Sequence, residues 1–439
     1  MRRWYTLLVY CAAPFAFAAV VWRGLRHRGS RQGLGERFGF GPATRAETAI
    51  WLHAVSLGEV TAAASLIRAL RSRYPAIPLL VTTATPTGRS RARDLFGDSV
   101  GVSFLPYDLP GSVRRFLRRV RPRIAIIMET ELWPNLFNEC SHAQVPVVLA
   151  SARLSDKSVA RYCRLGRLIR GIFTANVVIA AQSAVDAARF AAIGAPPQRI
   201  HVVGNLKFDL EVSAAAIAQG LSLRTALGSD RPTWIAGSTH AGEEEQVLDA
   251  HALLQAERPN ALLLLVPRHP ERFQAVAELL RRRGMSFARR SGGAAPGGAQ
   301  VLLVDSVGEL GMLYAAADAA FVGGSLVPIG GHNLLEPAAL GLPVLTGPYN
   351  ANGKDTAELL LREGAAAEVA DARELAAALR RLFGDPAHGQ RMGDSARRIV
   401  EANRGSLARL LGIIEPLLAE AGTAPAAQPL PAESAAAGR

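Results

Sequence analysis

The stretch GGSLVPIGGHNLLEPAALGLPVLTGP, Gly323 to Pro348, holds the densest set of groups suited to chemistry in the chain. Apolar Ala320-Phe321-Val322 ends at Gly323-Gly324. Gly330-Gly331-His332-Asn333 then opens a helix expected over Leu334–Leu340, with Gly341 as its stop and Pro343–Thr346 as the next strand. Glycines let a backbone approach a ligand closely, and the first N–H groups of a helix attract an anion. Glu336, in the first turn, can accept hydrogen bonds from ribose hydroxyls. The combination suits a ligand carrying phosphate and ribose, although a plain tight strand–helix–strand connection has the same spacing.

Other polar groups sit where apolar runs end: His53–Glu59, Glu129–Asn135 and Gly204–Asp209 in the first half, Gly237–His240, Pro267–Pro270 and Asp305–Glu309 in the second. Glu59 starts a helix, where the dipole favours a carboxylate. Ionised and facing a cleft, it can take a proton from an attacking alcohol; otherwise it only complements the helix. Glu129 follows apolar Ile124–Met128, so its burial calls for a partner. Lys207 can be that partner, in a working site or in a structural ion pair. Arg268 suits bidentate recognition of phosphate or carboxylate, though it and His269 also read as solvated loop residues. Ser238, Gly331 and His332 are further candidate contacts to phosphate or sugar. His240 and His332 lack metal-ligand spacing and no clustered Cys/His pattern occurs, so neither a metal nor another cofactor is expected.

The elements that must position these groups alternate between strand and helix. Ile50–Ala54, Pro78–Thr83, Val100–Phe104, Ile124–Met128, Val147–Ala150, Val177–Ala180 and Ile200–Val203 read as strands with helical or turn material between them. The pattern restarts at Thr233–Gly237 and continues through Ala261–Val266, Val301–Val304 and Ala319–Val322. Such alternation predicts parallel, doubly wound sheets, hence an α/β protein of two Rossmann-like domains with a cleft at the carboxyl ends of their strands. The expected boundaries are 1–30 for an N-terminal anchor and basic flank, 31–210 and 211–420 for the two domains, the second including terminal helices, and 421–439 for a disordered Ala/Pro/Ser-rich tail.

With 439 residues the chain exceeds what one core usually organises, in keeping with two domains. The 50 Lys+Arg against 37 Asp+Glu leave +13, which favours anionic partners. No zinc-finger spacing, RRM signature or basic region with heptads accompanies that charge, so nucleic acid is not among them. Cys11, Cys140 and Cys163 give no disulfide framework and suggest a reducing compartment. Trp4–Trp22 is free of charge and, as a helix, roughly 28 Å long, enough to cross a bilayer core. Arg23, Arg26, Arg28 and Arg31 follow it, which puts the body of the protein in the cytoplasm. A cleaved signal peptide and, with Pro14 as a kink, a monotopic anchor are the competing readings. Arg161, Arg164, Arg167 and Arg170 form an expected helix stripe, and Arg114–Arg123 a second basic cluster. Both read as solvated faces or as contacts to anionic lipid.

HAVSLGEV, METELWPN, GNLKFD, VPRHPERF, DSVGEL and GGSLVPIGGHNLLEPA, in this order, resemble the signature segments of bacterial 3-deoxy-D-manno-octulosonic acid (Kdo) transferases. The resemblance extends from the N-terminal segment to about residue 420. It implies a two-domain GT-B glycosyltransferase that moves Kdo from CMP-Kdo to the lipid A precursor (lipid IVA), with inversion and without a metal, in lipopolysaccharide synthesis. The site would be on the cytoplasmic side of the cell inner membrane, with the first domain binding the acceptor and the second the nucleotide sugar. It further implies Glu59 as general base, Glu129 and Lys207 as catalytic supports of the transition state, and Pro267, Arg268, Gly308, Glu309, Asn333, Leu334, Leu335 and Glu336 as the residues holding CMP. Another GT-B transferase or an epimerase acting on a UDP-sugar, and a membrane-tethered module binding anionic lipid, are the alternatives.

Overall fold

The computed structural model describes residues 1–13, 33–41, 48–210, 212–293 and 297–423. They form two compact units: one takes the chain to Asp209 and resumes it from Gly405, and the other is Leu210–Arg404.

The first unit is built on β1 (Ala49–His53), β2 (Leu79–Thr83), β3 (Gly101–Phe104), β4 (Pro122–Met128), β5 (Val147–Ala152), β6 (Val177–Ala181) and β7 (Ile200–Val202). They pair in the order β3-β2-β1-β4-β5-β6-β7, all parallel. Period-two alternation sends Trp51, Ala125 and Ile127 into one core face and Ile50, Leu52, Ile124 and Ile126 into the other. A parallel sheet covered by helices on both sides needs this, because both faces must be apolar. The second unit repeats the plan with β8 (Thr233–Thr239), β9 (Leu262–Pro267), β10 (Phe287–Arg289), β11 (Val301–Leu303), β12 (Ala319–Val322), β13 (Val344–Thr346) and β14 (Ala366–Glu368). Its order is β10-β11-β9-β8-β12-β13-β14, again all parallel.

In each sheet the winding reverses once, between β1 and β4 and between β8 and β12. At such a point the loops leaving two adjacent strands run to opposite sides and open a crevice. Glu59 and Glu129 follow β1 and β4; Ser238 and Gly323 follow the register partners Gly237 and Val322.

Several sequence expectations are corrected here. The terminal helices were expected with the second domain as far as residue 420. Helices Ala372–Gly384 and Pro386–Asn403 do pack there, but in Ser406–Thr423 Leu410, Leu411, Ile414 and Leu418 enter the core of the first unit. Asp209 pins the start of that helix, its carboxylate accepting the N–H groups of Gly405 and Leu407 at 2.6 and 2.5 Å. The expected tail beyond residue 423 lies outside the described residues.

The charge-free N-terminal run is helical over residues 2–13, and its remainder to Trp22 lies outside the described residues. No helix among the described residues is long and apolar enough to cross a membrane. Tyr5 donates instead to the buried carboxylate of Asp108 and Thr6 to buried Asn135, both at 2.8 Å, which ties the segment to the first unit. The arginine stripe is not one helix face, because helix Asp156–Leu165 ends at Gly166, with φ 43°, before Arg167–Arg170 begins. In the other cluster Arg115 donates to the Phe38 carbonyl, Arg119 to that of Gly41 and Arg123 to the Thr48 hydroxyl, so these cations hold Phe38, Gly41 and Thr48 in place.

Candidate active site

In the first unit the loop after β1 turns into helix Leu57–Ala62 through a reciprocal cap. Ser56 Oγ accepts from the Glu59 N–H at 3.4 Å and donates to Glu59 Oε1 at 3.1 Å, while the Val55 N–H donates to Oε2 at 2.8 Å. This is the capping-box arrangement, with Ser at the cap and Glu three residues on. Burial pushes the Glu59 carboxyl up to about 7; the Val55 N–H opposes the shift and the charge of Glu129 adds to it. The helix dipole favours a carboxylate at this position, but burial outweighs that influence. The side chain is only half-buried, so a substrate can reach it.

Glu129, at the end of the neighbouring strand, has φ 53°, and its N–H donates to the Ala150 carbonyl at 3.0 Å. Ser151, on the next strand along, also has a left-handed φ, of 52°. Non-glycine residues are uncommon there and collect at functional sites. Glu131 is a third carboxylate in this group and was not singled out from sequence. It accepts from Trp133 Nε1 at 2.7 Å, and burial raises it, with Glu129 adding. Lys207 sits in the 3-10 turn Leu206–Phe208, set by Asn205 Oδ1 accepting its N–H at 3.0 Å. Among the described residues Lys207 forms no ion pair, with Glu129 or with any other carboxylate.

In the second unit the start of the glycine-rich loop is bound within the protein. The N–H groups of Gly324, Ser325 and Leu326 donate to the carboxylate of Glu243 at 2.7, 3.0 and 2.9 Å, and His240 N–H adds a fourth bond at 3.2 Å. Gly323 donates to the Gly237 carbonyl and Gly331 to that of Gly324, both at 2.8 Å. Leu335, first residue of the short helix Leu335–Ala339, donates to Asn333 Oδ1 at 3.1 Å. The amides of Gly323, Gly324, Ser325, Leu326, Gly331 and Leu335 are therefore satisfied inside the protein. Gly323 also answers a steric need: a Cβ there would meet Glu243 Oε2 and the Ser238 carbonyl oxygen, each at 2.7 Å. Glu243, wholly buried, was missed because its only sequence signal is an acidic helix start.

A cationic side chain stands on the neighbouring strand-end loop. Arg268 follows Pro267, the last residue of β9, and its N–H donates to the Thr239 carbonyl at 2.9 Å, which fixes the backbone while its side chain stays exposed. Its charge acts on Glu336, on His240 and on His332. Burial raises the Glu336 carboxyl; the bond from Asn333 Nδ2, 3.1 Å long, and the charge of Arg268 oppose it. Gly308, Glu309 and Glu336 line one pocket of about 340 Å³ together with Ser213, Gln219 and Met312. Glu309 is held there by Arg290 at 3.0 Å and by the Ser306 hydroxyl. Gly308 has φ 90° and open space where a Cβ would be. Leu334 and Leu335 are buried, so what they present to a ligand is backbone; Ser238, with φ 60°, sits in the register irregularity of β8. Among the described residues no group of three His, Cys, Asp or Glu side chains is arranged to hold a metal ion.

Two parallel seven-stranded sheets, each with acidic and basic groups at the carboxyl ends beside its reversal point, define an α/β protein of the kind that includes GT-B glycosyltransferases and nucleotide-sugar epimerases. A UDP-GlcNAc 2-epimerase from Neisseria meningitidis, solved bound to UDP-GlcNAc, superimposes with a TM-score of 0.52 at 12% identity over 85% of this chain and 100% of that one, a likeness of fold alone. The family model for 3-deoxy-D-manno-octulosonic-acid transferase (kdotransferase) matches residues 32–210. The 3-deoxy-D-manno-octulosonic acid transferase of Haemophilus influenzae is 41% identical over 421 residues, covering 95% of this chain and 99% of that protein. That of Bordetella pertussis is 39% identical over 426 residues, covering 94% and 98%. The chain belongs to the Kdo transferase family and is a glycosyltransferase.

Proposed function

We propose that this enzyme transfers Kdo from CMP-Kdo to the lipid A precursor lipid IVA in a single inverting displacement, with Glu59 as the general base. The observation that carries the proposal is the Glu59 carboxyl itself: held by two hydrogen bonds, half-exposed, and raised to about 7. A base titrating near the working pH accepts a hydroxyl proton while staying ionised in a useful fraction of molecules. Glu129 and Lys207 would then support the charge that develops as the donor's glycosidic bond breaks.

The donor side rests on Arg268 and on the pocket that gathers Gly308, Glu309 and Glu336. Departure of CMP leaves negative charge on its phosphate, and a fixed guanidinium stabilises that charge without reorganising. Pro267, Asn333, Leu334 and Leu335 complete the proposed CMP contacts, with Ser238, Gly331 and His332 as further contacts to phosphate or sugar. We infer work at the cytoplasmic face of the inner membrane, with the N-terminal segment against anionic lipid. Exposed Trp4, Leu7 and Leu8 support that placement.

The deciding experiment mixes purified protein with CMP-Kdo and lipid IVA and follows CMP release, with product mass by mass spectrometry. CMP released in step with Kdo-bearing lipid is the expected result. Turnover of a UDP-sugar instead, or anionic-vesicle binding with no nucleotide affinity, would overturn the proposal.

A further inference from the structure

The rings of His240 and His332 are within 6° of parallel, with Nε2 atoms 2.8 Å apart and centroids 5.1 Å apart. With the nitrogens that close, the centroids reach 5.1 Å only if the rings meet tip to tip in one plane rather than face to face. That is the geometry of a hydrogen bond between ring nitrogens, and it needs one proton between them. One ring donates through Nε2–H; the other accepts at Nε2 and keeps its own proton on Nδ1. The neutral pair therefore has one remaining Nδ1 lone pair. A proton added there gives an imidazolium donating to an imidazole, with the inner bond intact, whereas a second added proton would break it. The pair has room for one proton.

Its position is fixed by the backbone. A Cβ on Gly324 would stand 3.0 Å from His332 Cδ2 and 3.1 Å from its Nε2, so the rings lie against a glycine with φ +71°. His240 follows β8, and its N–H is bound by Glu243, which also holds the Gly324 loop. His269 meets His240 edge to face at 5.3 Å. The charged groups acting on the pair are Arg268 and His269 on both rings and Arg272 on His240. Arg272 is already matched by both oxygens of Glu244, at 3.0 and 2.9 Å, and His269 lies 4.0 Å from Glu271. Glu243 is filled by four backbone N–H groups, and the charge of Arg268 also acts on Glu336. The groups acting directly on the pair are thus cationic or neutral, as befits a place whose anion comes from a ligand.

We propose that the His240–His332 pair belongs to the anion site for the donor phosphate, and that it takes up one proton from solvent at the free Nδ1 when that phosphate settles beside it and Arg268. The inference rests on the nucleotide reading of the second unit given above. Burial together with these cations lowers His240 and holds His332 at about 4, so the pair itself is neutral at neutral pH. An anion reverses the local potential and draws the proton in.

The test is calorimetric titration of the full-length protein with CMP between pH 5.5 and 7.5, in buffers of different ionisation enthalpy. Proton uptake makes affinity rise as pH falls, by up to about tenfold per unit, and makes the heat depend on the buffer. The second ionisation of the CMP phosphate, near 6 for phosphate monoesters, lowers ligand charge on acidification and so works in the opposite direction. In His332→Gln and His240→Gln CMP should bind more weakly than in wild type at pH 5.5, and the rise and the buffer dependence should disappear. Wild-type affinity that stays flat or falls on acidification, with heat independent of buffer, overturns the proton-taking pair and leaves the nucleotide site standing. No CMP binding at any pH overturns the nucleotide reading and this proposal with it.

Discussion

Ser56 and Glu59 cap one another: the Ser56 hydroxyl accepts the Glu59 N–H at 3.4 Å and donates to its carboxylate at 3.1 Å. The same contact that starts a helix thus aims the proposed base. Glu59→Gln should keep the helix start and lower kcat by about 10²–10⁴. In the wild type, kcat/KM should rise with pH through about 7 as the carboxyl ionises, and fall tenfold per unit below. A pH–rate profile checks both. An acid limb that survives in Glu59→Gln would assign it to another group.

The raised carboxyl also has a stability signature. Its pKa goes from 4.5 to about 7 on folding, so the folded state binds this proton more tightly. The stability it contributes is full below pH 4.5 and is lost as pH rises through 7. Glu59→Gln should therefore gain on the order of 1–2 kcal/mol over wild type at pH 8 and little at pH 4. Denaturant melts at the two pH values measure the difference, and equal shifts at both would contradict the burial argument.

Most of this architecture is legible in the sequence. Buried parallel strands must be apolar on both faces, so runs such as Ile124–Met128 and Leu262–Val266 announce themselves, and polar residues after them mark strand ends. β10 and β14 do not, because FAR and AAE are three-residue strands at the sheet edges without an apolar run. Glu59 and Glu129 were readable as strand-end carboxylates. The role of Glu243 was not, since it depends on two loops meeting across a sheet. The tip-to-tip histidines were hidden for the same reason, being 92 residues apart in the chain. Glycine spacing alone does not separate the two uses, because glycines needed for close packing look the same in sequence as glycines needed for a ligand.

Glu243→Leu should be severely destabilising. It removes the acceptor for the N–H groups of His240, Gly324, Ser325 and Leu326, the last three of which are buried hydrogen bonds. Several unsatisfied buried amides imply a loss of about 3 kcal/mol or more. At roughly 2–4 °C per kcal/mol for a unit of this size, calorimetry should show a drop near 10 °C. A drop under 2 °C would mean that the loops are held by something else.

Gly324→Ala tests the steric reading of the glycine-rich loop. The new methyl meets His332 at 3.0 Å on a backbone with φ +71°, so the histidine ring must move. Thermal stability should fall modestly, by about 1–2 kcal/mol, and CMP affinity by about tenfold or more. Unchanged CMP affinity would detach the loop from nucleotide binding.

Tyr5→Phe removes the donor to Asp108 and keeps the ring. The buried carboxylate retains the N–H groups of Asn135 and Leu136, so the first unit should lose only about 1 kcal/mol. Residues 2–13 should nonetheless exchange amide hydrogens faster and be cut more readily by protease. Protection equal to wild type would show that the hydroxyl contact is incidental.

The return of helix Ser406–Thr423 to the first sheet makes Leu210–Arg404 an insertion within a discontinuous unit. During synthesis the second unit can therefore be complete while the first still lacks Leu410, Leu411, Ile414 and Leu418, leaving the β4 face that carries Ile124 and Ile126 partly uncovered. The ribosome must deliver Ser406–Thr423 before the first sheet is sealed. A nascent chain arrested shortly before Ser406 would be expected to recruit chaperones through that bare sheet.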